Sequence, residues 1–94
     1  MLVYYADWCV SCKELENITF VDAKVQAQLK NTLLLHLDLT AMNADDQASL
    51  KRYTLYGPPA ILFFDREGKE LTDSRVIGYQ SPEKFLATIK SAGI

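Results

Sequence analysis

Two hydrophobic rhythms alternate along this chain. Residues 1–6 (Met-Leu-Val-Tyr-Tyr-Ala) are a continuous apolar run rich in β-formers and read as a buried strand. After the short break at Asp7-Trp8-Cys9 the spacing becomes helical over 10–19. Val10, Leu15 and Ile18 are apolar there, with Lys13, Glu14, Glu16 and Asn17 between them. Asp22 is placed to cap a second helical piece, whose Val25 and Leu29 share one face. Residues 32–39 read as the next strand, although their leucine content leaves a helix open. A loop over 42–46 leads into a helix that starts at Ala44 or Asp45 and runs to Tyr53. Gly57-Pro58-Pro59 ends regular structure, because adjacent prolines supply no backbone donor. Residues 60–64 read as a strand and 65–69 as a turn of hairpin length, with Gly68 free to take a positive φ. Residues 70–78 are the expected returning strand. Ser81-Pro82 is a cap followed by an N1 proline, and Phe85, Leu86 and Ile89 supply the apolar face of a final helix to Ser91.

The order is β-α-(α)-β-α, then β-β-α. The first half is a βαβ unit, which predicts parallel strands with a right-handed crossover. One mixed sheet of about four strands with helices on both faces satisfies the string, so the expected class is α/β. The 94 residues suit a single domain, without repeats or linkers. Hydrophobic residues at 49% and charged residues at 23% exclude disorder as the main state. The longest clean apolar run, residues 60–64, falls far short of the roughly 20 residues of a membrane-spanning helix. Ten Lys+Arg against twelve Asp+Glu, with no basic cluster, argue against a nucleic-acid partner. The start is not a signal peptide, because it has no basic region and no cleavage site. An apolar strand from the first residue points to a fragment of a longer protein.

The chemistry concentrates at Cys9-Val10-Ser11-Cys12. Two cysteines are too few for a disulfide-dense scaffold. With His36 as the single histidine, they are also too few for a structural zinc site. Cys9 falls at the start of a predicted helix, where unpaired N–H groups and the helix dipole favour a thiolate. The spacing brings Cys12 round within one turn, which suits an intramolecular disulfide. Dithiol–disulfide exchange follows, with Cys9 attacking and Cys12 resolving. An inert structural pair and half of an intermolecular metal site are the competing readings. The strand–CxxC–helix setting favours the redox one. Trp8 is expected to shield the pair and offer a flat apolar contact. A cis Pro58–Pro59 bond would turn the preceding backbone outward toward an extended substrate. A trans bond would only end the helix, and the residues alone leave both open. His36 reads as a packed or satisfied strand histidine and Asp7 as an exposed loop acid. Phe20, Phe63, Phe64 and Phe85 read as core. Of Tyr4 and Tyr5, one is expected in the core and one near the active-site surface. The 53–56 run either borders a substrate groove or is ordinary packing.

Trp8-Cys9-Val10-Ser11-Cys12-Lys13, together with the late Pro59, resembles the thioredoxin-fold family over nearly the whole chain. The family's usual first strand and helix have no counterpart here. Residues 5–16, Thr19-Phe20, Asp38-Leu39-Thr40-Ala41 and the 57–64 stretch are most similar to the C-terminal periplasmic domain of DsbD-type transmembrane thiol:disulfide interchange proteins. Ordinary thioredoxins favour Gly-Pro between the cysteines, where this chain has Val10-Ser11. The resemblance implies that Pro59 is a cis-proline facing the disulfide, that Cys9 is the nucleophile and that Cys12 is the resolving thiol. It implies substrate contacts from Trp8, Pro58 and Pro59, and no cofactor or metal beyond the Cys9–Cys12 disulfide. The implied partners are protein thiols, including the membrane and N-terminal domains of a parent protein, at the periplasmic face of a bacterial inner membrane. The implied activity is protein-disulfide reduction by a monomeric domain. A free-standing thioredoxin-like reductase or isomerase, or a non-catalytic binding module, are the alternatives. The family commonly carries a buried acid six residues before the first cysteine, where this chain has Val3. Glu16 matches a second family acid and is the candidate for proton transfer.

Overall fold

The computed structural model describes residues 1–94. Four strands and four helices follow the predicted order: β1 (Leu2–Tyr5), α1 (Val10–Glu14), α2 (Ala23–Gln28), β2 (Leu35–Asp38), α3 (Ala44–Arg52), β3 (Ala60–Leu62), β4 (Val76–Ile77) and α4 (Pro82–Ser91). The sheet order is β2-β1-β3-β4. β1 pairs in parallel with β2, Val3 opposite His36, while β1–β3 and β3–β4 are antiparallel. The mixed four-stranded sheet of the sequence reading is therefore present.

Alternation along β1 and β3 divides the core into two clusters on opposite faces. Val3, Ile61 and Phe63 join Leu15, Val25, Leu29, Phe85 and Ile89 from the CxxC helix, α2 and α4. Tyr4, Ala60 and Leu62 join Leu39, Leu50, Cys9 and Cys12 on the face covered by α3. Both cysteines thus belong to the α3-side cluster.

Helix starts follow capping chemistry. The Asp22 carboxylate accepts the Lys24 and Val25 amides, Asn43 and Asp46 form a reciprocal capping box, and the Ser81 hydroxyl accepts the Lys84 amide ahead of Pro82. The helix predicted over 10–19 changes character midway. Leu15–Thr19 is a π-helical turn, closed by Phe20 N–H on Leu15 O at 2.8 Å. Thr19 is fully buried there, and its hydroxyl donates to the Gln80 carbonyl at 2.6 Å.

The structure corrects several expectations. The strand predicted over 70–78 is broken. Glu70 makes only an isolated bridge with Phe64, Thr72–Ser74 forms a 3-10 turn, and pairing resumes at Val76. Thr72, Asp73 and Ser74 favour local turns over a ladder, which the apolar pattern around them hid. The strand predicted from residue 32 begins only at Leu35, where β1 starts opposite it at Leu2, and Leu33 and Leu34 stand in solvent ahead of it. Phe20 and Phe64 are only partly buried, whereas Phe63 and Phe85 are fully so. Tyr4 and Tyr5 are both buried in the same cluster, Tyr4 in the core and Tyr5 with its hydroxyl reaching Asp7 and Lys13 beside the cysteine loop.

Candidate redox site

The C-terminal end of β1, an interior strand, delivers the chain to the end of the sheet where the chemistry lies. Cys9 N–H returns to Ala6 O at 3.2 Å, and Lys13 N–H to Cys9 O at 3.2 Å opens α1. Cys9 is the N-cap of that helix. Its Sγ accepts the Cys12 amide at 3.2 Å, the place a serine or aspartate oxygen usually takes. The two sulfurs are joined across a Cα–Cα distance of 5.2 Å, well inside disulfide range. Cys9 retains 7% exposure and Cys12 only 2%, so the pair has an outer and an inner member.

Trp8 stands beside the pair. It is 56% exposed, and its indole N–H donates to the Thr40 carbonyl at 3.1 Å. Thr40 also accepts the Asp7 amide through its hydroxyl at 2.9 Å. Thr40 is itself fixed by Asp38, which accepts both its amide and its hydroxyl. Those two bonds, the hydroxyl first, hold the Asp38 carboxyl below the usual carboxylate range. On the other side, the Tyr5 hydroxyl donates to Asp7 at 2.6 Å and accepts from the Lys13 ammonium. Asp7 as acceptor pushes the Tyr5 phenol upward, and the Tyr5 bond pushes the Lys13 ammonium upward. Asp7 is exposed, as expected, but it ties the cysteine loop to α1.

The Pro58–Pro59 bond is cis. Pro59 is buried beside β3, its carbonyl accepting the Gly78 amide at 3.1 Å, and Pro58 is partly open. Glu16 turns its carboxylate to His36 of β2, Oε1 to Nε2 at 3.4 Å, and the His36 ring lies 4.9 Å from Tyr5. His36 is the cross-strand partner of Val3. Val3 is buried in the opposite cluster from the cysteines. No three His, Cys, Asp or Glu side chains converge to hold a metal ion.

Thr40 and Lys13 were given no role of their own from the sequence. The available signal was Asp38-x-Thr40 directly after a strand, a spacing that favours a side-chain-closed turn. Because β2 runs parallel to β1, that turn lands beside the cysteine loop.

The model for thioredoxin-like domains matches residues 1–93. The chain belongs to the thioredoxin-like domain family. Its fold superposes on the C-terminal domain of DsbD from Neisseria meningitidis, with TM-scores of 0.83 for the reduced form and 0.85 for the oxidised form. Identity to that domain is 31%, covering 96% of this chain and 76% of that one. The thiol:disulfide interchange protein DsbD of Ralstonia nicotianae is 53% identical over 92 residues, 98% of this chain. DsbD of Yersinia pestis is 52% identical over 91 residues. The chain spans only 15% of the length of these two relatives.

Proposed function

We propose that this chain is the dithiol–disulfide exchange domain of a longer, DsbD-type protein and that it acts as a protein-disulfide reductase. The observation that carries the reading is the joined Cys9–Cys12 pair at the head of α1, with Cys9 outermost. In the reduced form the Cys9 thiolate attacks a sulfur of the partner's disulfide. That S–S bond breaks, a mixed disulfide forms, and the first partner thiolate leaves and takes up a proton. Cys12 then loses its proton and attacks Cys9 Sγ. The mixed disulfide breaks, the second partner thiol departs, and Cys9–Cys12 is oxidised. Two electrons have passed to the partner, and a donor dithiol restores the pair by the reverse sequence.

Amides at the helix start, including that of Cys12, stabilise the Cys9 thiolate. Glu16, one turn beyond Cys12 and paired with His36, is the proton acceptor for Cys12. Trp8, Pro58 and Pro59 form the contact surface for the partner segment. The donor and acceptor are the membrane and N-terminal domains of the parent protein, at the periplasmic face of the inner membrane.

The test is trapping. Cys12→Ser is expected to hold Cys9 in a stable mixed disulfide with a protein partner, and Cys9→Ser is not. Trapping by Cys9→Ser instead would reverse the roles. A midpoint potential at or below roughly −200 mV supports electron donation, and one near about −120 mV would make the domain an oxidant.

A further inference from the structure

The two loops that frame the disulfide also wall a surface depression of about 480 Å3. Its floor is Met42, Leu50 and Leu55. Leu50 is a member of the same apolar cluster as Cys9 and Cys12, and Met42 and Leu55 pack against that cluster. The depression therefore lies over the same core cluster as the cysteines. Along the chain it is flanked by segments of the site. Met42 stands two residues beyond Thr40, which anchors Trp8. Tyr56 stands two residues before the cis Pro58–Pro59 bond.

Two side chains of this lining, Tyr56 and Lys51, stand exposed. Tyr56 is 101% exposed, so its ring packs on nothing. Met42 (φ 44°) and Thr54 (φ 58°), the only two non-glycine residues in the left-handed region, both line the depression. Thr54 is the left-handed residue that ends α3, with its N–H on Lys51 O at 3.1 Å and Leu55 N–H on Leu50 O at 2.8 Å, and the Met42 N–H closes a turn on Leu39 O at 2.9 Å. Lys51 lines the rim in the last turn of α3 and is exposed.

We propose that this depression is a specificity subsite for the exchange partner. It takes an apolar side chain from the extended segment flanking the partner's reactive cysteine, with Lys51 pairing a neighbouring carboxylate. The proposal rests on the exchange reading above. The floor is apolar and the one free charge at the rim is positive, so the complement is an apolar residue beside an acidic one. Tyr56 closes over that side chain as a flat, amphipathic contact. In an extended segment successive residues advance by about 3.3 Å, which puts the recognised side chain a few positions from the cysteine.

The experiment uses short peptides carrying one cysteine in mixed disulfide with a chromogenic thiol. A single leucine is moved residue by residue along either side of the cysteine, against a serine control. A glutamate or lysine is then placed next to the best position. Exchange rates with the reduced chain are normalised to exchange with oxidised glutathione, which is too small to reach the depression. The expected result is one leucine position favoured about tenfold over serine. Glutamate beside it should be favoured over lysine. Tyr56→Ser should abolish the leucine preference, and Lys51→Glu should invert the charge preference. Both positions are exposed, so neither variant removes packing. Equal rates for all peptides, or a leucine preference that survives Tyr56→Ser, overturns the proposal while leaving disulfide exchange intact. Failure to exchange with glutathione at all overturns the exchange reading and this subsite with it.

Discussion

Arg75 holds together three segments that bear on the site. Its Nε and Nη2 donate to the two oxygens of Glu70 at 2.6 and 2.8 Å, and Nη1 donates to the Tyr53 carbonyl at 2.7 Å. One guanidinium thus ties the bridge at Glu70, the head of β4 and the C-cap of α3, from which the loop to Pro59 departs. Arg75→Met removes all three bonds and strands the Glu70 carboxylate. An exposed pair is worth about 0.2–1 kcal/mol, and breaking a fully buried one costs about 3–5 kcal/mol. With side-chain exposures of 26% for Arg75 and 13% for Glu70, the expected loss is about 2–4 kcal/mol at neutral pH. In a chain of this size each kcal/mol moves Tm by about 4–8 °C. Urea titration of both proteins, followed by circular dichroism, measures it. The pH dependence carries a sign. The Arg75 bond holds the Glu70 carboxyl below its ordinary value. That stabilisation is present above the unfolded carboxyl pKa of about 4.3 and is lost as pH falls through the lower folded value. The Arg75 shift is upward, so its own contribution is constant across the acid range. The advantage of wild type over Arg75→Met should therefore shrink below about pH 4. A loss under about 0.5 kcal/mol at neutral pH, or one that does not change on acidification, would refute the reasoning.

Phe85 is fully buried, with its ring 5.6 Å from Phe20 and 6.3 Å from Phe63. Phe85→Ala should cost about 3–5 kcal/mol in denaturant titration, and a loss below 1 would show that the site collapses freely. Thr19→Val leaves the Gln80 carbonyl without its 2.6 Å donor. It should cost about 1–3 kcal/mol, although the shape is nearly unchanged. Val3→Asp places a buried carboxylate in the cluster that takes in Leu15 at the end of α1, and it should raise the Cys9 thiol pKa, seen as a shift of the alkylation-rate profile to higher pH. An unmoved profile, with Val3→Asn as the neutral control, would mean that position 3 does not communicate with the sulfur.

The βαβ unit, the turn at 65–69 and the side-chain caps of α2 and α4 were legible in the sequence. Each rests on local chemistry: a period, a cap residue, a glycine with a positive φ. The Asn43–Asp46 box that starts α3 was passed over as loop. The π-helical turn at Leu15–Thr19 was not legible, because it goes with a buried Thr19 whose hydroxyl reaches the distant Gln80 carbonyl, a contact no local pattern records. The break in the returning strand follows the turn-forming Thr72, Asp73 and Ser74, and Arg75 then ties its two ends to Glu70 and Tyr53, a contact that no period records. At the site, Cys9, Cys12 and Pro59 announced themselves by residue type. Thr40 and Lys13 did not, because their roles are to hold Trp8 and Tyr5, and the parallel register of β1 and β2 creates that proximity.

Trp8 is the only tryptophan in the chain, covalently next to Cys9, open to water and pinned through its indole N–H. A disulfide is an efficient quencher of an adjacent excited indole, and a dithiol is a much weaker one. The molecule therefore carries an optical gauge of its own oxidation state. Its emission should rise on reduction without any label, and the time course of that rise would read out each exchange event directly.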